Sequence, residues 1–263
     1  MKNISLAKWR DGAPSPGAWI NLPELHTAEL LARSGFDWLC FNLQHGLLSY
    51  SHLLSLIPAI SGTQATPLVR VTSNDAGQIG RALDAGAHGV IVPMVNTAEE
   101  AARAVAACRY PPEGLRSCGP MRGAMLEGMT YLQSANAEIA CVVMIETAEG
   151  LSNVEAIAAI PGVDGIFVGP MDLCYGLGLK PGDFAAPEFG AAMTRIKAAC
   201  KSAGIAIGLF GYTPELAGAA LQDGFQFVSI GTDIGFFRNG VTVAIAAAGE
   251  LAGRPQGGEP AGY

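Results

Sequence analysis

The sequence predicts an α/β protein folded as a (β/α)8 TIM barrel, and three observations carry that reading. Short apolar runs ending in polar or glycine-containing turns alternate with Ala/Leu-rich segments of helical spacing from residue 17 to residue 250. The apolar runs number eight, the count at which a parallel sheet of this kind closes on itself. A phrase of glycine, spacer and apolar run recurs as SGFDWLCF at 34–41, AGAHGVIV at 85–92, PGVDGIFV at 161–168 and DGFQFVSI at 223–230, ahead of the second, fourth, sixth and eighth runs. An open doubly wound sheet is the competing fold, but no GxGxxG turn follows the first strand.

In chain order, the strands are expected at 17–22, 37–43, 67–71, 89–95, 140–145, 165–168, 205–210 and 225–230. Helices are expected after them at 27–34, 51–60, 75–85, 97–108, 151–160, 187–203, 213–222 and 237–251. Asn74-Asp75, Asn96-Thr97 and Thr213-Pro214 supply the capping side chains and first-turn proline that open helices. Gly35, Gly86, Gly162 and Gly224 stand where a helix must stop and turn into a strand. The stretch 110–139 is too long for a plain connection and is expected to be an active-site loop. Residues 1–252 are read as one barrel domain and 253–263, GRPQGGEPAGY, as a Gly/Pro-rich tail that is either disordered or docked on a neighbouring subunit.

Composition narrows the function. With 50% apolar and 15% charged residues in 263, the chain can bury one large core, which excludes disordered and fibrous classes. The 16 basic residues against 23 acidic ones leave a net charge of -7 without a Lys/Arg-rich run, so nucleic acid is not an expected partner. Six cysteines are spread singly, which reads as reduced, buried thiols rather than a disulfide framework or zinc site. MKNISLAKWRDG lacks the apolar run of a signal peptide, and no stretch has the length of a membrane span, so a cytoplasmic location without membrane contact is expected.

In such a barrel the chemistry sits at the carboxyl ends of the strands. The polar residues there are Gln44 and His45 after strand two, Arg70 in strand three, Glu146 after strand five, Asp172 after strand six and Asp233 after strand eight. Glu146 and Asp172 end neighbouring strands, which suits a hard divalent cation completed by water and substrate oxygens. Taken singly, Glu146 also reads as a rim ion pair and Asp172 as a cap for the next turn. His45 follows an apolar strand directly, aimed at the cavity, as a proton-transferring base or a satisfied structural histidine. Arg70 needs an anion, either a rim acid such as Glu146 or a substrate carboxylate or developing enolate. Asp233 reads as a loop or helix cap. Lys2, Lys8, Lys180, Lys197 and Lys201 all fall away from strand ends, so a Schiff-base lysine has no candidate and activation falls to a metal.

Long segments, WINLPELHTAELLARSGFDWLCFNLQHG, PLVRVTSNDAGQIGRALDAGAHGVIVPMVNTAEEA, RYPPEGLRSCGP and VMIETAEGLSNVEAIAAIPGVDGIFVGPMDL, together resemble the HpcH/HpaI aldolase family from Trp19 to the last strand. The resemblance implies a phosphoenolpyruvate/pyruvate-type barrel that is a class II, metal-dependent pyruvate aldolase. Such an enzyme interconverts 4-hydroxy-2-oxo acids with a 2-oxo acid plus an aldehyde through a metal-stabilised enolate. It implies His45 as base, Arg70 as the arginine that balances the enolate, Asp84 as the histidine's partner, and Glu146 and Asp172 as ligands of Mg2+, Mn2+ or Co2+. Periodicity alone would leave Asp84 on the surface near the end of the third helix. Gly169, Pro170 and Met171 are expected to seat the substrate carboxylate, with Trp19, Gln44 and Leu209 lining the pocket. The resemblance further implies a hexamer, a trimer of dimers, with active sites at subunit contacts and C-terminal helices exchanged.

Relatives often carry an Asp and a Glu where this chain has Asn42 and Gln44; loss of those charges should lower the histidine pKa. Cys174 and Ser117-Cys118 also depart from the pattern, on the aldehyde side. The alternatives are a malyl- or citramalyl-CoA-type lyase, for which the sparse Lys/Arg content is unfavourable, and a catalytically silent barrel that binds 2-oxo acids.

Overall fold

The computed structural model describes residues 2–251. Eight parallel strands, β1 (Ser15–Ile20), β2 (Trp38–Asn42), β3 (Thr66–Arg70), β4 (Gly89–Val92), β5 (Ala140–Ile145), β6 (Gly165–Val168), β7 (Ala206–Phe210) and β8 (Phe227–Thr232), pair in chain order and close into a barrel. β4 stops at Val92, short of the expected 95, because Pro93 has no N–H to give the ladder. Gly35, Gly86, Gly162 and Gly224 have φ of 98°, 105°, 93° and 87°, the left-handed conformation that lets each helix end turn into its strand.

The barrel's helices are α1 (Ile4–Arg10), α2 (Leu25–Ala32), α3 (Tyr50–Ala59), α4 (Ala76–Asp84), α5 (Ala98–Cys108), α6 (Met121–Glu127), α7 (Tyr131–Glu138), α8 (Ala148–Ser152), α9 (Val154–Ala158), α10 (Pro170–Gly176), α11 (Pro187–Ala203), α12 (Pro214–Gln222) and α13 (Asp233–Leu251). Side chains of Asp75, Thr97 and Thr213 accept from the backbone N–H three residues on, capping α4, α5 and α12. The helix expected over 151–160 is instead α8 and α9, broken at Asn153, whose amide donates to the Asn96 carbonyl at 2.8 Å. The last helix begins at Asp233 rather than 237. The tail at 253–263 lies outside the described residues.

Strand alternation divides the interior in two. Trp19, Trp38, Cys40, Leu68, Ile91, Val142, Met144, Phe167 and Phe227 fill the inside of the barrel, while Leu39, Phe41, Val69, Val143, Val168 and Leu209 face the helices. Too short to show periodicity, α1 was not expected. It closes the amino end of the barrel with Leu6 and Trp9, the latter stacked 4.3 Å from Phe227. Asn3 ties α1 down by donating to the carbonyls of His88 (2.8 Å) and Glu138 (2.9 Å).

The 110–139 stretch is not the active-site loop its length suggests, since it does not stand at the carboxyl rim of the barrel. It follows α5 rather than a strand, so it lies at the amino pole, opposite the rim. Arg109 donates to the carbonyls of Ile139 (2.9 Å) and Gly162 (3.1 Å) and to Asp164 (2.8 Å). Arg116 pairs with Asp84 at 2.7 Å, and Arg122 reaches the Ser61 hydroxyl at 2.7 Å.

The Arg109–Asp164 pair is buried on both sides. Asp164 keeps Arg10 at 3.4 Å and the Cys141 N–H at 2.8 Å, so Arg109→Ala costs it its more buried partner and leaves the Ile139 and Gly162 carbonyls without their donor, which should destabilise the barrel by about 1–3 kcal/mol. A denaturation midpoint equal to the wild type's would contradict this.

Candidate active site at the carboxyl rim

The same alternation that packs the inside of the barrel delivers the polar groups to its mouth. In β2, Trp38 and Cys40 point inward, and so does Asn42; in β3, Leu68 is followed two residues on by Arg70. The register sets Asn42 directly beside Arg70. Asn42 Oδ1 accepts from Arg70 Nε at 3.0 Å and from the backbone N–H groups of Gln44 (3.2 Å) and His45 (3.1 Å). The turn carrying His45 is thereby folded back onto β2. The Arg70 guanidinium, 8% exposed, lies 4.7 Å over the Trp19 ring.

Glu146 extends the inward face of β5 and is 4% exposed. Its Oε1 accepts from Met94 N–H at 2.7 Å, and Met94 holds a left-handed φ of 55°, rare outside glycine. At Gly169, the N-cap of α10, an added Cβ would sit 2.7 Å from Glu146 Oε2, so only glycine lets this turn approach the carboxylate. The first turn of α10 then presents Asp172, which is exposed to solvent.

Electrostatics ties these groups together. Burial raises the Glu146 carboxyl above its ordinary value and the charge of Asp172 adds to this, while Met94 N–H and Arg70 oppose it. Burial lowers the Arg70 guanidinium, opposed by Glu146 and Asp172 among others. Burial also lowers the His45 imidazole, and the Arg70 cation lowers it further against the pull of Asp172. The Tyr212 phenol is pushed up to about 12, mainly by burial and next by Asp172. Asp172 thus acts on Glu146, Arg70, His45 and Tyr212 alike, so the five groups lie within electrostatic reach of one another at the rim.

The donor set suits a hard cation. Two carboxylates converge, and one of them is buried beyond what its neighbouring cation restores. Among the described residues no group of three or more His, Cys, Asp and Glu side chains comes together, so most positions of an octahedron would be left for water and substrate oxygens. A buried acceptor, Gln44 Oε1, and a buried donor, Trp19 Nε1, have no protein partner.

Of the residues expected from sequence, the fold brings together Trp19, Gln44, His45, Arg70, Glu146, Gly169 and Asp172, with Pro170 and Met171 in the first turn of α10. Leu209 is not a pocket wall: it has the outward parity of β7 and packs toward the helices. The inward neighbour Phe210 takes that place, its ring 5.4 Å from Trp19 and 4.7 Å from Tyr212. Alternation along β7 could have found both aromatics. Asp84 is at the amino pole, paired with Arg116, so within one chain it does not meet His45. Asp233 holds the rim from behind, its carboxylate accepting from the backbone N–H groups of Asn21 (2.9 Å), Leu22 (2.8 Å) and Ile234 (2.8 Å).

A closed parallel barrel carries a carboxylate pair, an imidazole and a guanidinium at its carboxyl mouth, the end at which barrels of this kind hold their active sites. The chain belongs to the HpcH/HpaI aldolase/citrate lyase family, whose profile matches residues 16–240. It is 40% identical over 227 residues to the 2-dehydro-3,6-dideoxy-6-sulfogluconate aldolase of Pseudomonas putida, covering 86% of this chain and 88% of that one. It is 36% identical over 244 residues to the hydroxypyruvate/pyruvate aldolase of Rhizorhabdus wittichii, covering 92% and 97%. The crystal structure of an HpcH/HpaI aldolase/citrate lyase family protein from Burkholderia cenocepacia J2315 superposes with a TM-score of 0.89 at 36% identity, covering 94% of this chain and 99% of that one. The protein is therefore an enzyme of the aldolase class.

Only the neutral imidazole accepts a proton, so a base at His45 would make activity rise with pH through the His45 pKa. With that pKa depressed, the acid limb of kcat/KM should lie below the usual imidazole value of about 6.5. Arg70→Ala removes a repelling cation and should move the limb to higher pH; a limb that stays put would dissociate His45 from Arg70.

Proposed function

We propose that the protein is a divalent-metal-dependent aldolase interconverting 4-hydroxy-2-oxo acids with pyruvate, or a related 2-oxo acid, plus an aldehyde. The observation that carries this reading is the pair Glu146 and Asp172 set beside Arg70 and His45 at the barrel mouth. These two carboxylates would hold Mg2+, Mn2+ or Co2+, which when bound supplies Lewis acidity that makes protons next to a carbonyl removable. Arg70, desolvated and stacked on Trp19, balances the negative charge that the substrate gains. His45, neutral near pH 7, takes the proton from the carbon next to the keto group in synthesis and returns it in cleavage. The backbone N–H groups of Met171 and Asp172 seat the carboxylate behind Gly169, since Pro170 has none to offer. Gln44 Oε1 is free to accept from a hydroxyl or a water. With the cysteines free, five of them buried, we place the reaction in the cytoplasm.

We further propose a homo-oligomer, a hexamer arranged as a trimer of dimers. On α13, Phe237, Val243 and Ile245 are about two-thirds exposed or more, an apolar surface suited to exchange of this helix between copies. Since Asp84 cannot reach His45 of its own chain, its role as the histidine's partner is performed for a second copy.

Metal-dependent exchange of deuterium into the pyruvate methyl group should be present in the wild type and lost in chelator, in Glu146→Gln and in Asp172→Asn; exchange that persists in chelator would overturn the metal role. Arg70→Ala should cost about 3 kcal/mol in transition-state stabilisation. Co-expressed His45→Ala and Asp84→Asn chains should recover activity that neither shows alone; without recovery, Asp84 does not serve a neighbouring His45.

A further inference from the structure

Asn42 has no part in the chemistry described above, yet more of the mouth hangs on it than on any group that does. Its Oδ1 accepts from three donors, Arg70 Nε–H and the backbone N–H groups of Gln44 and His45. None of these can reverse direction, so the amide is oriented without ambiguity and its Nδ2 must point the other way. There it donates to Asn21 Oδ1 at 2.7 Å. Asn21 in turn is fixed by Asp233, which accepts the Asn21 backbone N–H at 2.9 Å; burial raises that carboxyl above its ordinary value, and the N–H groups of Leu22, Ile234 and Asn21 oppose the rise. Donors therefore run one way, from Arg70 through Asn42 and Asn21 to the buried carboxylate at the start of α13.

The charge at this position matters as much as the direction. Arg70 gives its Nε–H to a neutral amide, and among the described residues the carboxylates of Glu146 and Asp172 act on it only through space. A guanidinium so placed keeps its charge and its terminal N–H groups for a ligand. A carboxylate at position 42, the residue relatives often carry, would accept the same three N–H groups and pair with Arg70, so Asn42 sets this chain apart by the charge it leaves on Arg70.

We propose that Asn42 is a positioning residue of the reaction: it aims Arg70 and the His45 turn at the mouth while leaving the Arg70 cation unpaired for the carboxylate or enolate of a 2-oxo acid. The proposal rests on the aldolase reading for the identity of that anion. It makes affinity for small 2-oxo-acid anions a property set by a residue that does not touch them.

Two variants separate aim from charge. Asn42→Asp keeps an accepting oxygen and adds the charge; it should weaken calorimetric binding of oxalate, a rigid dianion that mimics the enolate of a 2-oxo acid, about tenfold in the Mn2+-loaded protein and raise KM more than it lowers kcat. Asn42→Ala removes the acceptor and should lower kcat at least tenfold with the thermal unfolding temperature close to the wild type's. Oxalate bound by Asn42→Asp as tightly as by the wild type, or an Asn42→Ala chain with undiminished kcat, overturns the proposal. Should Asn42→Ala fail to fold, the oxalate measurement on Asn42→Asp decides alone. Oxalate binding needs no turnover, so it reports on Asn42 separately from the proton exchange that tests the aldolase reading.

Discussion

A carboxylate buried in the mouth of an otherwise apolar barrel is the constraint from which the rest of the site follows. Glu146 is almost wholly removed from water, and a charge in that position must be repaid by dipoles or cations nearby. Met94 N–H provides one dipole, at the cost of a left-handed backbone on a residue other than glycine. Arg70 provides part of the cation, but Asp172 adds a second negative charge beside it. The site is thus short of positive charge in the place where two carboxylates act on each other. That shortage, more than the presence of any one side chain, is what makes the mouth fit for a divalent ion.

The two poles of the barrel divide the work. At the carboxyl rim, the polar groups are held by short turns and by an amide chain that ends in Asp233, and Trp19 Nε1 and Gln44 Oε1 have no protein partner. At the amino pole, Arg109 at the end of α5 and Arg122 beyond it tie the helix-to-strand turns together, and α1 plugs the opening with Leu6 and Trp9. The rim meanwhile carries a guanidinium without an ion pair among the described residues and a left-handed Met94. Asp84 lies at the amino pole, so any catalytic use of it joins one copy's amino pole to another copy's rim.

Much of this was legible in the chain. The eight apolar runs, the four repeating glycines and the carboxylates after the fifth and sixth strands all stand where periodicity put them, because strand alternation and left-handed turns are local properties. The errors have equally physical origins. Leu209 was placed in the pocket from proximity to a strand end, but one residue of parity turns a side chain from the mouth to the helices. The length of the 110–139 stretch suggests an active-site loop, but its position after α5 sends it to the other end of the barrel.

The order of residues along the chain by itself determined the barrel, the strand ends at which polar groups emerge, and the family to which the protein belongs. Only the tertiary structure decided how those groups meet: that Asn42 sits beside Arg70 in register, that Gly169 must lack a side chain because Glu146 is there, and that Asp84 answers to Arg116 rather than His45 within one chain. The reason is that alternation and turn chemistry act between near neighbours in sequence. Hydrogen bonds and unpaired charges are settled between strands and helices whose separation in the chain says nothing of their distance in space.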